Sequence, residues 1–136
     1  MILCIEEFKV EIEKLRRKNS YKDLEEVVIE HFFNKPLSKL LSGNRLNNSE
    51  SAPYIKKRLD GRGGYRIYFL ALILQNNIYL MFVHPKTGSQ GYEKIHDDYK
   101  SKLYKIVLHA IQENNLYEVK SNDKKDGLIF EKVKKK

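Results

Sequence analysis

Apolar residues fall at Phe8, Ile12 and Leu15, with Glu, Lys and Arg between them. That spacing of four and three predicts an amphipathic helix with a narrow inner stripe. Residues 2–6 ahead of it suit a short strand. Asn19-Ser20 breaks the pattern, and Ser20 with Asp23 three positions on resembles a capping box, although Asp is short for the reciprocal bond. A second helix is predicted from about Tyr21 to Phe33, with Leu24, Val27, Val28, Ile29 and Phe32 facing inward and Pro36 as its stop. Two helices joined so closely should pack as an antiparallel pair. Residues 42–53 are small and polar without period, which predicts a loop.

The pattern then turns to β. Tyr54–Leu59 reads as a short basic strand, 61–64 as a glycine turn, and Tyr65–Leu74 as a central strand partly buried on both faces. Gln75-Asn76-Asn77 predicts a tight turn, because Asn tolerates positive φ, and Ile78–His84 returns until Pro85 stops it. Residues 86–93 form a polar loop. Tyr99, Leu103, Ile106, Val107, Ala110 and Ile111 have helical spacing, with Asp97 and Asp98 at the start and Asn114-Asn115 as the stop. Leu116–Lys120 and Leu128–Val133 suit two further strands, and the final Lys134-Lys135-Lys136 should lie free of the fold. The expected fold class is α+β. Two N-terminal helices would pack on an antiparallel sheet of three to four strands, followed by a C-terminal helix. The expected domain spans residues 1–115, and 116–136 form a basic extension.

Composition narrows the function. The longest nearly unbroken apolar run, Ile67–Leu74, is far short of the roughly 20 residues of a spanning helix. The early acidic Glu6-Glu7 leaves no apolar stretch for a secretory leader, so a cytoplasmic protein without membrane contact is expected. The single cysteine, Cys4, excludes a disulfide framework, and histidines 31, 84, 96 and 109 lack ligand spacing, so no metal or cofactor is expected. The net charge is +8 and unevenly spread. Residues 35–66 hold 8 basic and 2 acidic groups, and residues 120–136 hold 7 and 3, whereas 1–34 are net negative and 67–119 neutral. A polyanionic partner fits that distribution, and solubility is the plainer explanation.

The densest cluster is Lys56-Lys57-Arg58-Leu59-Asp60-Gly61-Arg62-Gly63-Gly64-Tyr65-Arg66. Strand alternation puts Lys56 and Arg58 on one face, and Arg66 can return to it across the turn. Three such cations would bind a phosphodiester and stabilise charge developing on it. Lysines guarding an edge strand would account for Lys56 and Lys57, but poorly for Arg66, which opens an apolar strand. A second cluster comprises His84, Lys86, Tyr92 and His96. His84 is a candidate acid or base, and a packing residue on the plainer reading. His31 and His109, on helices among apolar neighbours, read as structural. Phosphate-loop, Gly-x-Ser-x-Gly and His-Glu-x-x-His motifs are missing.

Gly61-Arg-Gly-Gly-Tyr-Arg66, an apolar strand, a turn, a second apolar strand and then Pro85-Lys86-Thr87 ahead of a helix resemble the RelE/ParE superfamily of bacterial toxins, nearest the RelE/HigB-like branch. The N-terminal helix pair fits as well, and the resemblance covers roughly residues 3–112. It implies the toxin of a type II toxin-antitoxin system: a ribosome-dependent endoribonuclease that cuts mRNA through 2′-hydroxyl attack without metal. Its partners would be a cognate antitoxin and mRNA on the ribosome. Residue by residue, Arg66 matches the arginine at the scissile phosphate. Lys56 and Arg58 match the basic pair on the preceding strand, with Lys57 an alternative. Lys86 matches the basic residue after the last strand, and Tyr92 a late tyrosine. Arg66 and Arg58 would stabilise charge, Lys56 and Lys86 would handle protons, and Tyr92 would stack on a base, with Lys57, Arg62 and Lys94 as further RNA contacts. This chain lacks the C-terminal His-Tyr pair of some relatives, which makes His84 the substitute acid. A ParE-like inhibitor of DNA gyrase and a non-catalytic nucleic-acid-binding module are the alternatives on the same fold.

Overall fold

In a computed structural model, which describes residues 1–61, 63–86 and 96–134, the stripe Phe8, Ile12 and Leu15 forms the buried side of helix α1, Glu6–Leu15. Strand β1, Ile2–Cys4, precedes it. A 3-10 turn at Asn19–Tyr21 leads to α2, Leu24–Phe32, which starts later than its apolar pattern suggests. The Asp23 side chain does not cap that helix; its carboxylate accepts a hydrogen bond from the Tyr65 hydroxyl instead. A short helix α3, Leu37–Leu40, and a two-residue strand β2, Asn44–Arg45, follow.

The meander is β3, Tyr54–Leu59, β4, Tyr65–Leu72, and β5, Asn77–Pro85. The turn between the last two begins earlier than the apolar run suggests. Asn76 has φ 56° and its N–H bonds Ile73 O at 3.1 Å, so Ile73 and Leu74 lie in the turn and Leu74 is exposed. Helix α4, Asp97–Gln112, and the hairpin β6, Tyr117–Ser121, with β7, Leu128–Lys132, complete the described chain. Lys134 is held, its carbonyl accepting from Asn114 Nδ2 at 2.8 Å. Residues 135 and 136 lie outside the described residues.

The α+β class holds, but the sheet is larger than three to four strands and it is mixed. Its order is β2-β3-β4-β5-β1-β6-β7. Two features enlarge it. β1 runs parallel to β5, Ile2 opposite Ile78 and Cys4 opposite Leu80. On its other edge β1 takes β6 antiparallel, which draws residues 117–132 into the same sheet. Helices cover both faces. Phe8, Ile12, Leu24, Val28 and Phe32 pack against Ile55, Ile67, Phe69, Leu80 and Val83 on one side. Leu103, Val107 and Ala110 of α4 pack against Tyr68, Leu70, Met81 and Phe82 on the other. Double cover explains why β4 and β5 are apolar at nearly every position.

One irregularity positions the site. Tyr68 pairs with Phe82, but the next residue, Phe69, pairs with Leu80, so Met81 is an extra residue in β5. Met81 and Phe82 therefore both face α4, and the alternation beyond them is re-phased. Without that bulge Val83 would leave the helix-pair core and His84 would enter it.

Candidate nucleic-acid interface

Strand pairing brings the predicted cations together. Arg58 lies directly opposite Arg66, and Arg66 opposite His84, so the three form one row across β3, β4 and β5. The adjoining row is Lys56, Tyr68 and Phe82 on the same face. Beyond His84, the Lys86 N–H donates to Gly64 O at 3.0 Å, placing Lys86 beside the glycine turn. That turn needs its glycines. Gly61 has φ 152°, and a Cβ there would lie 2.7 Å from the Tyr65 ring. Gly64, at φ 80°, faces the Lys86 side chain at 3.9 Å. The first turns of helix α4 pack over the adjoining row and strand β3: Tyr99 meets Phe82 at 5.3 Å, and the Tyr54 hydroxyl donates to Lys100 O at 3.0 Å.

Like charges directly opposite in a sheet destabilise it. Arg58 and Arg66 nevertheless stand opposite each other, and neither forms an ion pair with a described residue. The Arg66 Nε is buried and without a hydrogen-bond partner among the described residues. Replacing Arg58 with Thr removes the repulsion, and we expect the urea midpoint to rise by the equivalent of about 0.2–1 kcal/mol while RNA binding weakens. A fall in stability would show that Arg58 is held by the fold itself.

His84 closes the β5 end of this row at 1% exposure. Its Nδ1 lies 3.1 Å from Pro85 O, so Nδ1 carries the proton. Nε2 is then the acceptor, 3.5 Å from the Tyr68 hydroxyl, and the two rings stack at 5.8 Å. Burial above all, then Arg66 and Lys56, lower its pKa, opposed by the Pro85 hydrogen bond. A buried neutral ring suits positioning of Arg66 better than proton delivery to a substrate, the role the sequence suggested. His96 is exposed at the N-cap of α4, and His109 is exposed on that helix.

Lys57 points to the opposite face, as alternation requires, and its ammonium donates to the Ser42 hydroxyl. There it joins a cleft of about 340 Å³ lined by Val27, Glu30, His31, Lys35, Arg58 and Asp60 among others. Sequence reasoning missed this cleft; its one local signal is His31 four positions before Lys35. His31 touches Phe32 edge-on at 4.7 Å, yet its Nε2 is buried without a partner among the described residues. Burial, then Lys57 and Lys35, push its pKa down to about 4 from 6.5. Lys57 is lowered too, by burial and then by Lys35. Arg62, Tyr92 and Lys94 lie outside the described residues.

These histidines set an acid limit. Both are held below the ordinary imidazole value, so the unfolded chain binds more protons as pH falls below about 6.5, and for His31 this window reaches down to about 4. Their contribution is complete above that window and is lost as pH falls through it. The urea midpoint should drop across this range, and His31→Asn should flatten the drop. An unchanged slope in the variant would remove His31 from the account.

A larger cleft, about 540 Å³, lies between α4 and the β2–β3 segment, lined by Leu46, Asn47, Tyr54, Lys100 and Tyr104 among others. The cation row takes no part in it. Among the described residues no group of His, Cys, Asp and Glu is arranged to hold a metal ion, and no helix is long and apolar enough to cross a membrane. No protein-family model matches the chain, and no curated protein or solved structure matches it significantly.

Proposed function

We propose that this chain is a toxin of the RelE/ParE type: a metal-independent, ribosome-dependent endoribonuclease acting on mRNA and restrained by a cognate antitoxin. The observation that carries the reading is the Arg58–Arg66 pair, two guanidinium groups opposed across strands with no carboxylate from a described residue between them. A phosphodiester supplies the missing charge. In the reaction the ribose 2′-hydroxyl attacks the adjacent phosphorus and the bond to the 5′-oxygen breaks. The products are a 2′,3′-cyclic phosphate and a 5′-hydroxyl end. Negative charge grows on the non-bridging oxygens, where planar guanidinium groups in a fixed fork are most effective. Lys56 and Lys86 flank Arg66 and suit the two proton transfers, one from the attacking hydroxyl and one to the leaving oxygen. His84, stacked on Tyr68, is a positioning residue. A partly disordered antitoxin that folds over the cationic end would neutralise it.

The test is induced expression in a bacterial host with mapping of mRNA 5′ ends, comparing the wild type with Arg66→Ala. Growth arrest with new cleavage sites, both lost in the variant, is the expected outcome. Arrest without mRNA cleavage would replace this reading with gyrase inhibition. Absence of arrest from soluble, folded protein would leave a binding module.

A further inference from the structure

The cleft on the reverse face of β3 has no role in the reaction just described. It is nonetheless built from groups that recognise a nucleotide. Lys35 lines the cleft beside Lys57, close enough to disfavour the Lys57 charge. Neither forms an ion pair with a described residue. Ser42 holds the Lys57 ammonium in place. The unpartnered, buried Nε2 of His31 offers one further hydrogen bond from a ring that stays neutral. Val27 and Leu59 supply an apolar floor, and the exposed Glu30 and Asp60 offer acceptors for hydroxyl or amino hydrogens at the rim. A volume of about 340 Å³ lies at the small end of ligand sites, suited to a single nucleotide.

The two faces communicate around one edge. β2 pairs with β3 only at Ile55 and Lys56, so the outer edge of residues 57–59 has no strand partner among the described residues. Arg58 stands at that uncovered edge, paired with Arg66 on one side and lining the cleft on the other. We propose that an RNA strand held at Arg66 continues past Arg58 over the open edge of β3 and places a second phosphate between Lys57 and Lys35, with His31 as its hydrogen-bonding neighbour. This rests on the ribonuclease reading for the source of the phosphate, not for the existence of an anion site.

The experiment follows the His31 ring resonances of the full chain by NMR, assigned with His31→Asn. Inorganic phosphate is titrated first, at constant ionic strength against chloride. A short 2′-O-methyl oligoribonucleotide, which cannot be cleaved by 2′ attack, is titrated second. Saturable His31 shifts with both, abolished in Lys35→Gln/Lys57→Gln, are expected. That double variant should weaken oligonucleotide binding about tenfold and lower the slope of log affinity against log salt by about 0.7, one single-strand phosphate contact. Shifts with phosphate alone would overturn the RNA path and leave a free-anion site. No shift with either would overturn the site altogether. Neither result touches the Arg66→Ala cleavage comparison, which fails or succeeds by itself.

Discussion

Arg66→Lys should lose mRNA cleavage by about two orders of magnitude while RNA binding falls only a few-fold, and Arg66→Ala should lose both. The separation follows from geometry. Arg66 lies in the centre of the row, between Arg58 and His84, with its Nε buried. A lysine there keeps a point charge for the ground-state phosphate but loses the planar fork that fits two oxygens at once. Removing one well-placed donor to a developing oxyanion costs about 10²–10³ in rate. The measurement is single-turnover cleavage of programmed ribosomes, with binding followed separately. Equal losses in binding and cleavage would make Arg66 a docking contact. Full retention by lysine would make any cation sufficient, and the binding-module reading would gain.

The largest stability effect is expected from Phe69→Ala, about 3–5 kcal/mol by urea unfolding with an unchanged slope. Phe69 is fully buried in the middle of β4 and meets Phe32 of α2 edge-on at 5.2 Å. Truncation removes the ring's burial and leaves a cavity that two flanking strands and a helix cannot close. Combining it with Phe32→Ala should cost less than the sum of the two, because the edge-to-face pair adds about 0.5–1.5 kcal/mol of its own. A loss under about 1 kcal/mol would mean that α2 does not depend on this contact. The consequence reaches the reverse-face cleft, since α2 carries His31.

The meander was legible because β3, β4 and β5 contain their own turn signals and pair locally. The meeting of Arg58 with Arg66 followed from alternation and the glycine turn alone. The facing of His84 did not. It depends on the extra residue at Met81, and a single apolar position within a run buried on both faces leaves no mark in hydrophobic pattern. The size of the sheet escaped for another reason. β1 has only three residues and pairs with strands far along the chain, so nothing local announces whether its neighbours are parallel or antiparallel. The hairpin of β6 and β7 was recognisable as two strands, but its attachment to the main sheet depends on β1. His31 was read as packing because Phe32 and Ile29 surround it in sequence. Its polar surroundings come from Lys35 and from Lys57, and only the folded chain brings Lys57 near.

The splice made by Ile2–Cys4 also bears on the order in which the molecule assembles. It precedes β5 and β6 in the chain, and it must wait for both of them before both of its edges are satisfied. The β3–β4–β5 hairpins close short loops and can form early, whereas threading β1 between β5 and β6 closes long ones. We expect the β1 and β6 amides to exchange hydrogen sooner than those of β4, as one cooperative unit. The sheet thus has a seam beside β5. Arg58 and Arg66 stand on β3 and β4, on the far side of β5 from that seam. The hairpin half can therefore loosen while the cations stay in register.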